Sequence, residues 1–287
     1  MMELDAPWLV FGGPYSNSHA TRALLAEAAR RGIPSARILC TGDVVAYAAD
    51  AAATTALVMG SGIHVLMGNC EEQLAAGAGD CGCGFEEGTA CDLLARGWYA
   101  HALREVTPAQ RDWMGALPRR LVLRLPDGRR LAVVHGGATE INRFLFRSTP
   151  ENVLAAEIAA TGCDGVVAGH SGIPFARRVG QGVWINAGAI GMPAHDGTPR
   201  VWFSLLRPRA EGLEVSFHAL DYDHAAAAAA MRRARLAEGY ATALETGLWP
   251  SEDVLPQADR ARRGVALEPP AFAWAVRPPS GPGACAA

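Results

Sequence analysis

The chain reads as an α/β protein that sets polar side chains at the carboxyl ends of parallel strands, and three observations predict this. The opening segment alternates apolar runs with helical patterns: Trp8-Leu9-Val10-Phe11, then Ile38-Leu39-Cys40, then a run ending at Met67. A βαβαβ order of this kind argues for a parallel sheet with helices packed on it. Four apolar runs also end at a glycine and a polar residue, placing Asp43 after Gly42, Asn69 after Gly68, His135 before Gly136 and His170 after Gly169. Open α/β sheets present their chemistry at that edge. Finally, carboxylate, amide and two imidazoles together form a donor set suited to a divalent metal.

Taken in order, the strand Trp8 to Phe11 turns at Gly12-Gly13-Pro14, and Asn17 or Ser18 caps a helix whose apolar face is Ala20, Ala23, Leu24 and Ala28. Gly32 and Pro34 stop that helix. The strand at 38–40 leads to Gly42-Asp43, and an Ala-rich helix over about 46–60 returns to the run ending at Met67. From Glu71 to Pro118 the pattern is helical but broken at Asp80-Cys81-Gly82-Cys83-Gly84, and Thr107-Pro108 caps its last part. An Asp127-Gly128 turn joins strands 121–125 and 130–134 into a hairpin. A helix follows over 150–161, then strands at 183–186, 201–206 and 213–217, and a helix from about His224 to Thr246. Beyond Pro269 the chain is rich in Pro, Gly and Ala, and a loose tail is expected there.

Composition narrows the function classes. Half of the 287 residues are hydrophobic and 19% are charged, the balance of an ordinary soluble globular chain. The net charge of −3 gives no general attraction to nucleic acid or acidic lipid. No apolar run approaches the roughly 20 residues of a membrane helix. Met1 to Pro7 carries acids and no basic n-region, so a cytoplasmic location is expected, with the seven cysteines as reduced thiols. All 26 basic residues are Arg, which is a compositional bias rather than a mechanism.

In order and spacing, Gly42-Asp43, Gly68-Asn69-Cys70-Glu71, His135-Gly136 and Gly169-His170 resemble the strand-end motifs of the calcineurin-like metallophosphoesterase superfamily, especially its small bacterial phosphatase and phosphodiesterase branch. Asn186-Ala187-Gly188-Ala189-Ile190-Gly191 is similar to that family's N-P-G-S-V-G loop. The resemblance implies a four-layer αββα sandwich of two mixed sheets over residues 1–222. A helical extension at 223–264 would pack on it, and 265–287 would form the tail. It further implies a phosphatase or phosphodiesterase acting on a small phosphorylated substrate through a metal-activated water.

Family members hold two metals, and the two shells differ sharply here. The family's D-x-H is Gly13-Pro14-Tyr15, and its G-H-x-H is Gly169-His170-Ser171-Gly172, so three ligands of the first metal are gone. Asp43, Asn69, His135 and His170, the set for the second metal, are complete. One divalent ion per chain (Mn, Fe, Zn or Co) is therefore expected. Losing a two-metal clamp worth about 4 kcal/mol would slow hydrolysis about a thousandfold unless something replaced it. Arg143, seven residues beyond Gly136, is the candidate cation for a phosphate. Tyr15 is expected to donate a hydrogen bond or to ligate a ferric ion as phenolate. Asn17 is expected to orient a substrate oxygen. Cys70 stands where some members have a histidine that protonates the leaving group; its alternative is a small buried thiol. The triple loss also supports a second reading, a degenerate member that binds a phosphorylated ligand or partner without hydrolysis.

Several other residues keep two readings. Cys81, Cys83 and Cys91 make a C-x-C-x7-C pattern that either binds a soft metal or merely marks a loop. His195 borders the site or packs in its Gly-Pro-rich loop. Trp249 and Pro250 read as a packing anchor.

Overall fold

The computed structural model describes residues 1–210 and 212–275. Its strands are β1 (Met2–Glu3), β2 (Trp8–Phe11), β3 (Ile38–Cys40), β4 (His64–Val65), β5 (Leu121–Arg124), β6 (Arg130–Val133), β7 (Gly165–Ala168), β8 (Phe175–Val179), β9 (Gly182–Asn186), β10 (Val201–Arg209), β11 (Gly212–Leu220) and β12 (Phe272–Ala275). The helices are α1 (Ser18–Arg30), α2 (Ala51–Ser61), α3 (Asn69–Ala76), α4 (Ala90–Glu105), α5 (Pro108–Gly115), α6 (Glu151–Thr161), α7 (His224–Arg233), α8 (Glu238–Thr246) and α9 (Gln257–Arg260). One sheet runs β12-β11-β10-β2-β3-β4 and the other β1-β5-β6-β7-β9-β8, both mixed.

The two-residue period of a strand sorts side chains between layers. Trp8 and Val10 point between the sheets with Leu39, while Leu9 and Phe11 point outward beneath the helices with Ile38 and Cys40. In the other sheet Leu131, Val133 and Val167 face inward, and Ala132, Val134, Val166 and Ala168 face α6 through Leu154 and Ile158. Three hydrophobic clusters therefore separate four layers, helix, sheet, sheet and helix. This is the αββα sandwich expected from sequence.

The parallel strands β2, β3 and β4, and β6, β7 and β9, end at one edge, where the two sheets meet. Gly12 bridges Ala189 there. The backbones approach so closely that a Cβ at Gly169 would collide with Thr41 Oγ1 of the opposite sheet.

Local departures from the sequence reading have identifiable causes. The helix expected over 46–60 begins only at Ala51, because Tyr47 takes a φ of 41° and Asp50 N–H donates to Ser16 O. The helix expected over 224–246 is split into α7 and α8, since Arg235 turns at φ 57° and Leu236 N–H closes onto Met231 O. Where a loose tail was expected from Pro269, Phe272–Ala275 instead adds an edge strand to β11 and buries Trp274 between the sheets. The part of that tail at 276–287 lies outside the described residues. No helix among the described residues is long and apolar enough to cross a membrane.

Candidate metal centre

At the shared edge, Asp43 follows β3, Asn69 opens α3, and His135 and His170 follow β6 and β7. All four are buried. His135 Nδ1 lies 2.7 Å from Thr41 O, an oxygen that only accepts, so Nδ1 carries the proton and Nε2 presents a lone pair. Asn69 Nδ2 donates to Cys81 O at 2.9 Å, which fixes the amide and leaves Oδ1 3.0 Å from His135 Nε2. His170 Nδ1 is also 3.0 Å from that nitrogen, and Asp43 Oδ2 is 3.2 Å from it. Asp43 Oδ2 and His170 Nδ1 are 3.7 Å apart.

Acceptor atoms thus converge from four side chains. A single proton on His170 Nδ1 satisfies one of these contacts and leaves the remaining lone pairs facing each other. The arrangement fits a divalent cation of the borderline class, bound by nitrogen and oxygen donors. Among the described residues, Asp43, His135 and His170 are the one His, Cys, Asp and Glu cluster with ligand atoms close enough for this.

Electrostatics agree with a charged carboxylate at the centre. Burial opposes the Asp43 charge, but the His135 and His170 imidazoles outweigh it and hold the carboxyl well below the usual range. Burial pushes His135 down, yet Asp43 beside it raises it overall; burial lowers His170. Asp43 sits at φ 55°, a left-handed turn that Asp tolerates better than most residues. Glu71 holds that turn: its carboxylate accepts from Asp43 N–H at 2.7 Å, Gly68 N–H at 2.9 Å and Val45 N–H at 3.2 Å. Burial, with Asp43 nearby, pushes Glu71 up to about 7. Its positioning role was missed from sequence, although it closes the Gly68-Asn69-Cys70-Glu71 motif.

The first-metal side is filled rather than open. Tyr15, at φ 49° and 5% exposed, lays its ring against Gly13, where any Cβ would collide with it. Its hydroxyl reaches the neighbourhood of Gly172, the other vacated ligand position. Burial, reinforced by Asp43, pushes the phenol well above its ordinary value.

The remaining candidates divide. Cys70 is fully buried, and burial pushes its thiol well up; its backbone N–H reaches Asp43 Oδ1 at 3.3 Å and its sulfur lies 3.5 Å from Asn69 Nδ2. Asn17 caps α1 through Ala20 N–H at 3.0 Å and donates to Gly191 O at 3.1 Å. It therefore anchors the 187–193 loop instead of facing the metal ligands. Arg143 is held by Glu157 at 2.5 Å and does not line the cavity at His170. Cys81 and Cys83 are joined by a disulfide, where free thiols were expected: their one-residue spacing turns through Gly82 at φ 59°. Cys91 lies apart, its N–H on Asp253, so the three cysteines do not form one metal site. His195 accepts from Trp249 N–H at 2.8 Å, and Trp249 and Pro250 line the cavity at His170 instead of serving only as a packing anchor.

The comparisons agree with this architecture. The model of the calcineurin-like phosphoesterase superfamily domain matches residues 13–206. The crystal structure of a metallophosphoesterase from Sphaerobacter thermophilus is 23% identical with a TM-score of 0.66, the match covering 85% of this chain and 100% of that one. A hypothetical protein from Pyrococcus horikoshii is 18% identical with a TM-score of 0.69, over 86% of this chain and 100% of that one. At those identities the two structures speak for the fold alone. No curated protein matches the chain. With the matched segment running from the turn after β2 into β10, the chain belongs to the calcineurin-like phosphoesterase superfamily.

Proposed function

We propose that the chain is a metal-dependent phosphoric ester hydrolase for a small phosphorylated substrate, with one divalent transition metal held by Asp43, Asn69, His135 and His170. The convergence of their lone pairs on one point carries this reading. When bound, such an ion supplies Lewis acidity and shifts a water's pKa from about 15.7 toward 7.

The chain's own residues prepare the site. Thr41 O fixes the His135 tautomer, and Cys81 O fixes the Asn69 amide. Glu71 locks the strained Asp43 turn through three backbone N–H groups. Tyr15 donates its hydroxyl to a substrate oxygen on the side where relatives hold their first metal. We assign Cys70 to holding Asp43 Oδ1 through its backbone, since its buried thiol is a poor acid. Asn17 shapes the site through Gly191, keeping in place the loop whose Ala189, Met192 and Pro193 line the cavity.

The Tyr15 ring in the first-metal space favours one alternative, a family member that binds a phosphorylated ligand without turnover. Manganese-loaded protein assayed on bis(4-nitrophenyl) phosphate and 4-nitrophenyl phosphate separates the two. Release of nitrophenolate that disappears in His135→Ala supports the hydrolase. Binding of phosphoesters with no release in any metal supports the alternative.

A further inference from the structure

The cavity that opens at His170 has a chemistry of its own. Tyr15, Tyr47, Phe85, Phe144, Tyr240 and Trp249 wall it. Phe144 lies 4.2 Å from the His170 ring and 6.2 Å from Phe85, and Tyr47 lies 4.9 Å from Tyr15 and 5.0 Å from Tyr240. Two ring sets therefore line the cavity, one of them, Phe85 and Phe144, packed against a metal ligand, His170. Neither Arg, Asp nor Glu lines the cavity. Arg143, the cation suggested by sequence, is paired with Glu157.

Charge then limits the anion. A divalent ion against the Asp43 carboxylate leaves at most one unit of positive charge, and the wall adds none. A dianionic monoester or a polyphosphate would leave negative charge uncompensated in a poorly hydrated site. A phosphodiester carries a single charge. Its ester group must then meet aromatic rings, which favour flat apolar surfaces through area burial and edge or stacked contacts.

Building on the hydrolase reading above, we infer that this site selects a phosphodiester bearing a flat, apolar ester group, which lies in the aromatic cavity while the phosphate meets the metal ligands.

Calorimetric binding to the manganese-loaded full chain tests this with three probes: diphenyl phosphate, dimethyl phosphate and phenyl phosphate. The first pair differs in rings at equal charge, and diphenyl against phenyl phosphate differs in charge while both carry at least one ring. Diphenyl phosphate should bind at least about tenfold tighter than dimethyl phosphate, from the area of one buried ring, and tighter than dianionic phenyl phosphate, from its single charge. Val254→Asp, which puts a carboxylate into the cavity wall, should abolish the preference over dimethyl phosphate and leave metal content unchanged. Pro250→Glu at the exposed rim is a second variant with the same expectation. Equal affinities for diphenyl and dimethyl phosphate, or tighter binding of phenyl phosphate, would overturn the inference on wild-type protein alone. Turnover of bis(4-nitrophenyl) phosphate separates the layers. Ring preference without turnover refutes the hydrolase and keeps the cavity assignment, whereas turnover without ring preference refutes only the cavity assignment.

Discussion

Tyr15 has two separable tasks, filling the first-metal space with its ring and presenting a hydroxyl to the site, and two substitutions distinguish them. Tyr15→Ala removes a ring that is 5% exposed and packed edge-on to Tyr47 at 4.9 Å. Because Gly13 and Gly191 supply no side chain to refill the space, the neighbourhood cannot collapse cheaply. Truncating a buried aromatic in such a site costs about 3–5 kcal/mol. At roughly 2–4 °C per kcal/mol for a chain of this size, the melting temperature should fall by about 6–20 °C. Tyr15→Phe keeps the ring, so its melting temperature should stay within about 3 °C of wild type. Its kcat/KM on bis(4-nitrophenyl) phosphate should fall about tenfold to a hundredfold, as expected for losing a hydrogen bond to a charged group. Thermal denaturation and steady-state kinetics, with metal content measured alongside, give both numbers. An Ala variant as stable as wild type would refute the filling role. A Phe variant with unchanged kinetics would refute the donor role.

Two further outcomes follow from groups away from the centre. Arg143→Ala should lower stability by about 1–3 kcal/mol while leaving KM unchanged, because Glu157 is buried and keeps only Ala138 N–H and the Thr139 hydroxyl and N–H as partners; a rise in KM without loss of stability in urea titration would restore Arg143 to the substrate. His218 is pushed down to about 4 by burial and by Arg31 and Arg207. Since the unfolded imidazole titrates near 6.5, the unfolded chain takes up the proton first as pH falls, so this contribution is absent above about pH 7 and destabilises progressively from about 6.5 to about 4. His218→Gln should flatten that part of the curve of urea midpoint against pH; identical slopes in both proteins would contradict the assignment.

Much of this architecture was legible in the residues themselves. Apolar runs ending at Gly42, Gly68 and Gly169 announce strand ends, and strand ends of parallel sheets share an edge, so Asp43, Asn69, His135 and His170 could be brought together before any coordinates. The alternation of Trp8, Leu9, Val10 and Phe11 offered no layer assignment, because a strand covered on both faces is apolar throughout. Phe175–Val179 was missed because its two arginines break the apolar pattern: Arg177 and Arg178 sit on a strand whose ends, Phe175 and Val179, alone reach the α6 core. Contacts distant in sequence were the least legible. Nothing in Arg143 alone points to Glu157, fourteen residues on, and Trp249 is held at the cavity by bonds to His195 and Pro193 O, more than fifty residues away. Tyr15 was legible as a lost ligand but not as a filler, since that role depends on Gly13, Gly172 and Gly191 lying around one ring.

The most direct test of the central claim is metal content per chain, by elemental analysis of protein purified without chelator and then loaded with manganese or zinc, in wild type and Asp43→Asn. Asn preserves both the left-handed turn and the side-chain volume, so the variant removes charge from the centre with little disturbance of the fold. About one equivalent in wild type, lost in Asp43→Asn, is the predicted result. No metal in wild type under any loading condition, or two equivalents per chain, would contradict the account.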